Sequence, residues 1–141
     1  MDIKKIGIVG AGAMGSGIAQ VLATAAIEVV LSDIAEAQLQ RGLATISSSL
    51  DRLIKKEKLT LDQKSAAFAR ISTTGDLQAM ADCELIIEAA SESVDLKRAI
   101  LQQLDKISAP ATILATNTSS ISITRIAAFT ERPDKVIGMH F

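Results

Sequence analysis

The amino-acid sequence predicts an α/β fold, a mainly parallel sheet with helices wound on both faces, and three observations lead there. Glycines recur at the spacing of Gly10-Ala11-Gly12-Ala13-Met14-Gly15, directly behind the apolar run Ile6-Gly7-Ile8-Val9. Short apolar runs of strand length alternate with stretches of helical periodicity along the whole chain. Hydrophobic residues make up 48% of the 141, yet only three are Phe and none is Trp or Tyr, so the core must be built from Ile, Leu, Val and Ala, as in parallel sheets buried on both faces. A chain of this length can bury roughly 70% of its unfolded surface as one domain.

Each element has a local reason. The first strand ends at Val9, and Met14, Ile18, Val21, Leu22 and Ala25 supply the stripe of the helix that follows. Residues 28–32 read as the second strand, closed by Asp33. Leu39, Leu43, Ile46, Leu50, Leu53 and Ile54 then recur at helical spacing, which predicts one long helix over about 36–58. Thr60 with Gln63 three positions later has the form of a capping box and starts a second helix reaching about Arg70. The two make a helical hairpin inserted after the second strand, either an arm for holding a substrate or an ordinary surface excursion. A short strand over 71–74 ends at the Gly75-Asp76 turn, and a central strand over 85–89 follows. Ile100, Leu101, Leu104 and Ile107 mark a helix over 94–107, with a strand over 112–116, a short helix around 123–129 and a last strand over 136–139 completing the alternation.

The glycine motif lies in the context its chemistry requires, strand before and helix after. Gly10 permits the tight turn, Gly12 lets a pyrophosphate approach without a Cβ in the way, and Gly15 lets helix and strand pack closely. Residues 10–15 thus form a cradle in which unpaired amides of the helix start face an anion. Asp33, at the end of the second strand, can accept both ribose hydroxyls of an adenosine. A 2′-phosphate there would meet its negative charge with no Arg or Lys in Ile34-Ala35-Glu36 to compensate, which favours NAD over NADP. The fold is therefore expected to be a Rossmann-type dinucleotide-binding domain.

Composition excludes other classes. The formal net charge is −1 with acids and bases interspersed, so no basic stripe invites nucleic acid. The single Cys83, in an apolar neighbourhood, reads as buried and has no thiol partner for a disulfide or a metal site. No apolar run approaches membrane-spanning length, and the amino terminus lacks the apolar stretch of a secretory signal, so the expected compartment is a reducing cytoplasm.

Two further motifs follow the later strands: Ala115-Thr116-Asn117-Thr118-Ser119-Ser120 and Gly138-Met139-His140-Phe141. With the glycine motif and Asp33 they resemble the amino-terminal domain of the 3-hydroxyacyl-CoA dehydrogenases, particularly the bacterial 3-hydroxybutyryl-CoA type, over the whole chain. The resemblance implies an NAD-dependent oxidation of 3-hydroxyacyl-CoA to 3-oxoacyl-CoA in fatty-acid β-oxidation or butanoate metabolism. It implies that His140 takes the proton of the 3-hydroxyl, a task suited to an imidazole that titrates near neutrality. Ser119 would hydrogen-bond the substrate oxygen and the nicotinamide region, with Asn117 shaping the ribose end. Ser119 or Ser120 could equally cap the helix containing Ile123.

The resemblance also implies nicotinamide-ribose contacts for Glu92 and Lys97, which from spacing alone would be a solvated acid at a helix start and a helix-face base. Ser49 and Lys56 match positions that contact CoA and share one face of the long helix. Without the resemblance, Lys55, Lys56 and Lys58 read as an exposed helix end. Glu88, at a strand's carboxyl end, is either a site-facing acid or a capping group.

In the family, a glutamate that charges the imidazole and an all-helical carboxy-terminal domain, which closes the site and makes most of the dimer contact, follow the histidine. The sequence ends at Phe141, so the expectation is a cofactor domain spanning 1–141 that binds NAD with little turnover, without that helical domain. Two alternatives are a non-catalytic NAD-binding module and a 3-hydroxyacid dehydrogenase of the hydroxyisobutyrate or phosphogluconate type, which uses a lysine base and lacks a G-M-H-F ending.

Overall fold

The computed structural model describes residues 2–118, 120–139 and 141; the expectations for Ser119 and His140 lie outside the described residues. Strands β1 (Lys5–Val9), β2 (Glu28–Ser32), β3 (Ile71–Thr74), β4 (Leu85–Glu88), β5 (Ile113–Thr116) and β6 (Val136–Gly138) form one sheet in the order β3-β2-β1-β4-β5-β6. Every pairing is parallel, with Val9 opposite both Ser32 and Glu88, and Glu88 opposite Thr116. Helices α1 (Ala13–Thr24), α2 (Glu36–Lys55), α3 (Leu61–Ala69), α4 (Val94–Ile107) and α5 (Ile123–Ala127) complete the doubly wound Rossmann-type fold. The strand order reverses between β1 and β4, which opens a crevice at the carboxyl ends of those strands.

Strand periodicity sorts the core into two layers. On one face Ile6, Ile8, Leu31 and Ile87 pack against Ile18 and Ala19 of α1 and Leu39 and Ile46 of α2. On the other, Val9, Val30, Ile86 and Leu114 pack against Leu101 and Leu104 of α4 and Ile126 of α5. Cys83 is buried in this second layer, where desolvation pushes its thiol up to about 11. A 3₁₀ turn over Leu77–Met80, which no sequence signal announced, presses Met80 beneath β1. A Cβ on Gly7 would come within 2.7 Å of the Met80 sulfur, so the glycine in the middle of β1 makes room for that turn.

Several expectations are corrected. The stripe of α1 is rotated: Met14, Val21 and Ala25 are exposed, and the buried face is Gly15, Ser16, Ile18, Ala19 and Ala23. Small residues form that face because α1 lies close to the sheet, and counting only large apolar side chains misplaced it. The long helix stops at Lys55 and the short one at Ala127. The α2–α3 hairpin does not project as an arm. Leu39, Ile46 and Leu50 of α2 and Ala67 of α3 belong to the same core layer as β1, and Arg70 donates to the carbonyl of Ala23 at 2.7 Å. The expected capping box at Thr60 and Gln63 is present in both directions. Among the described residues no helix is long and apolar enough to cross a membrane.

Candidate functional site

The glycine turn is built by exclusion of side chains. Gly10 has φ +110°, a region L-residues rarely enter, and a Cβ there would lie 2.7 Å from the carbonyl oxygen of Ala89. A Cβ on Gly15 would overlap the carbonyl oxygen of Gly10, so α1 can start this close to the turn only with glycine. Gly12 differs: the nearest atom to its added Cβ is the Gln38 amide at 3.8 Å, so the space above it is open. Gly12 is also the N-cap of α1, with no side-chain cap and no acid in the first turn. The α1 amino terminus thus presents amides and positive dipole beside an empty volume that any larger residue would fill, which fits a pyrophosphate. Ala11 is buried, whereas Ala13 and Met14, on the first turn, are exposed.

Asp33 borders this turn. Its Oδ2 accepts from the backbone N–H of Ala11 and its Oδ1 from that of Ala35, each at 3.0 Å. One backbone donor to each oxygen fixes the carboxylate and leaves lone pairs for two hydroxyls, as a diol requires. Gly10, Gly12 and Asp33 line a cleft of about 550 Å³ together with Gly75, Leu77 and Ile100. Ile34, 99% exposed, sits at its rim. The cleft has the mainly apolar walls and few polar groups of a nucleoside site.

Across the crevice the site is made of side chains. Glu88 and Lys97 are both completely buried, with the Lys97 ammonium 2.7 Å from Oε1 and 2.8 Å from Oε2 of Glu88. Glu88 Oε1 also accepts from the Thr116 hydroxyl at 2.7 Å, and Oε2 from the Ala90 N–H at 2.8 Å. This pair joins the ends of β4 and β5 to α4. The Ala90 contact fits the capping alternative for Glu88, the ion pair was anticipated by neither alternative, and Lys97 is not a solvated helix-face base. A Glu closing one strand and a Lys nine residues on, inside an apolar helix face, was the available signal.

Glu92 precedes the Ser93 cap of α4 and reaches over to the loop after β5. Its Oε2 accepts from the hydroxyls of Thr118 and Ser120, and its Oε1 lies 3.4 Å from the Lys97 ammonium. The Ser120 and Thr118 hydroxyls, with Lys97 as a lesser influence, hold the Glu92 carboxyl below the usual range. The solvated-acid reading of Glu92 therefore gives way to a clasp. Asn117 leaves β5 with its N–H donated to the Glu88 carbonyl at 2.9 Å, and Met139 leaves β6 with its N–H donated to the Thr116 carbonyl at 3.0 Å. The cap of α5 is Ser122, not Ser120, whose hydroxyl serves the clasp.

Ser49, half-buried, and Lys56, exposed at the C-cap of α2, do not line the cleft. Among the described residues no three His, Cys, Asp or Glu side chains cluster in a way that could hold a metal ion.

Comparison with known proteins places this geometry. The chain is 47% identical over 139 residues to a 3-hydroxybutyryl-CoA dehydrogenase of Bradyrhizobium diazoefficiens, covering 99% of this chain and 47% of that protein. It is 39% identical to the 3-hydroxyadipyl-CoA dehydrogenase of Escherichia coli, covering 100% of this chain and 30% of that one. The crystal structure of an (S)-3-hydroxybutyryl-CoA dehydrogenase from Ralstonia eutropha superposes with a TM-score of 0.97 at 53% identity, over 99% of this chain and 50% of that one. The chain thus spans half or less of the length of these relatives. Residues 5–141 match the profile described as 3-hydroxyacyl-CoA dehydrogenase, NAD binding domain, and the chain belongs to that family.

Proposed function

We propose that the protein carrying this chain interconverts 3-hydroxyacyl-CoA and 3-oxoacyl-CoA, with 3-hydroxybutyryl-CoA and acetoacetyl-CoA as its substrates. NAD supplies the chemistry of the reaction by accepting or returning hydride. The observation that carries this reading is the pairing of an open, uncapped glycine turn beside Asp33 with a second polar loop, 117–120, clasped by Glu92 at the neighbouring strand ends. Asp33 holds the adenosine ribose, and the amides of the 10–15 turn face the pyrophosphate. Glu92, Lys97 and Asn117 form the nicotinamide side. There Glu92 and Asn117 are the groups that reach the ribose, while Lys97 braces Glu88.

The catalytic roles rest on the matching motifs: His140 takes the proton of the 3-hydroxyl, and Ser119 hydrogen-bonds the same oxygen. Ser49 on α2 and Lys56 at its C-cap take the CoA moiety, with the lysine as a mobile partner for phosphate. Residues 1–141 act as the dinucleotide domain. The relatives' names support the short acyl chain, and a free, buried Cys83 fits a reducing cytoplasm. Two copies associate through surfaces beyond this domain.

The test is steady-state oxidation of NADH by the protein carrying this chain, with acetoacetyl-CoA as acceptor. His140→Ala is expected to lower kcat by about a hundred- to ten-thousand-fold and to leave NADH affinity unchanged. Normal turnover by His140→Ala overturns the assignment of the base. Equal efficiency with free acetoacetate in place of its CoA ester overturns the substrate class.

A further inference from the structure

We propose that Glu92 sets the preference of this domain between oxidised and reduced cofactor, by placing the net negative charge of the Glu88, Glu92 and Lys97 cluster beside the nicotinamide ring. The inference rests on the dinucleotide reading above and adds a specificity role that a ribose contact does not require.

The argument begins with the charges at the ends of β4 and β5. Glu88, Glu92 and Lys97 are two carboxylates and one ammonium. Lys97 is committed to Glu88, at 2.7 and 2.8 Å from its two oxygens, and stands 3.4 Å from Glu92. Lys97 and Glu88 have no exposed side-chain surface, while the Glu92 side chain is 42% exposed. The buried pair is therefore neutral as a unit, and the net charge of the cluster appears at Glu92. The next cation along α4, Arg98, faces Asp95 at 3.9 Å and lies over the Phe129 ring at 4.8 Å, so it does not neutralise Glu92 either.

Geometry fixes the charge in place. The hydroxyls of Thr118 and Ser120 donate to the same oxygen of Glu92, which keeps that oxygen from swinging out to solvent. A dinucleotide whose adenosine lies at Asp33 and whose pyrophosphate crosses the α1 amino terminus must place its nicotinamide half across the switch point, over the ends of β4 and β5. That is where Glu92 stands.

The two redox forms of the cofactor differ there by one formal charge, since the oxidised ring is a cation and the reduced ring is neutral. All other parts of the molecule are the same, so the ratio of the two dissociation constants isolates what the protein does to that charge. A fixed carboxylate at the rim of a partly dry crevice favours the cation. By the thermodynamic cycle, the bound couple is poised toward the oxidised form by the same factor.

The test compares the purified chain with Glu92→Gln, which retains an oxygen to accept from Thr118 and Ser120 but loses the charge. Affinities for NAD+ and NADH are measured by titration calorimetry at low and high salt. The ratio Kd(NAD+)/Kd(NADH) is expected to rise by about three- to tenfold in Glu92→Gln, a range set by solvent screening of a half-exposed charge, and the rise should shrink at high salt. A merely structural clasp would weaken both forms by the same factor, and an unchanged ratio overturns the proposal. Asp95→Asn supplies the comparison, because Asp95 is 92% exposed on the first turn of α4, just past Glu92. If it moves the ratio as far as Glu92→Gln does, the effect belongs to the general field of α4 and the proposal fails. Failure of the unaltered chain to bind either form would remove the dinucleotide reading itself, whereas binding with an unmoved ratio removes only the role of Glu92.

Discussion

The two sides of the crevice solve the same problem with different materials. On the β1–β2 side the site is backbone: glycines that clear space, amides that face it, and the single carboxylate of Asp33 tied to two N–H groups of neighbouring turns. On the β4–β5 side it is side chain: Glu88, Lys97 and Thr116 buried in one network, with Glu92 clasping a loop beyond it. The hydrogen-bond partners of Asp33 on the first side are 22 and 2 residues away in sequence, and the partners on the second come from three separate elements. A site of backbone tolerates no added atoms. A site of buried charges tolerates added atoms better than it tolerates the loss of one partner.

The largest expected effects lie in the glycine turn, and they divide within it. Gly15→Val places side-chain atoms where the Gly10 carbonyl stands, so loss of the native fold is expected, seen as loss of the cooperative thermal transition. Gly12→Val points into open space and is expected to keep the helix content and the transition while abolishing NADH binding. Circular dichroism and calorimetry on both variants check the division. NADH affinity retained by Gly12→Val would mean that the pyrophosphate does not lie over this turn.

Next in size is the buried pair. Lys97→Met leaves the Glu88 carboxylate buried with only Thr116 and Ala90 as donors, and is expected to cost about 3–5 kcal/mol in urea unfolding. Adding Glu88→Gln removes the stranded charge while the amide still accepts from Ala90, so the double variant should recover most of that loss. A double variant no more stable than Lys97→Met would show that the lysine acts through its packing and not through the pair.

These two sides also explain what was legible in the sequence. The succession of strands and helices along the chain, the glycine turn, Asp33 and the capping box at Thr60 are written in residues near one another, in patterns that local physics dictates. So are the boundaries of α4, read as they stand. The burial of Lys97 was missed because a lysine is read as solvated by its type, although its spacing to Leu101 and Leu104 puts it on the apolar face of α4, and only the fold brings Glu88 to it. The α1 face was misread because small residues, not large ones, form a close contact. The loop 117–120 was recognised by its residues, but its clasp by Glu92 crosses from one strand end to the next, a distance no local pattern spans.

A smaller effect tests whether Asp33 belongs wholly to the ribose. Because its oxygens also hold Ala11 and Ala35, Asp33→Ala is expected to lower stability by about 1 kcal/mol as well as to weaken NADH by about ten- to hundredfold, the worth of charge-assisted hydrogen bonds. Pairing it with Ile34→Arg, at a position 99% exposed and free to take a long side chain, should improve NADPH binding. Unchanged affinities for both cofactors would place the adenosine elsewhere.

The smallest expected effect concerns acid and the clasp. Hydrogen bonds from Ser120 and Thr118 favour the charged form of Glu92, so its carboxyl in the folded chain titrates below its value in the unfolded chain. A group depressed in this way contributes stability that is fully present above the unfolded value, near the ordinary 4.5 of a glutamate, and is lost as pH falls through the folded value. The side chain is nearly half exposed, so solvent screening limits the contribution to about a few tenths of a kcal/mol, far less than the buried pair. Urea unfolding of the chain and of Glu92→Gln should therefore differ slightly at pH 7 and converge as the pH is taken below 4.5. A difference that grows toward low pH would have the wrong sign for a carboxylate held by hydroxyl donors.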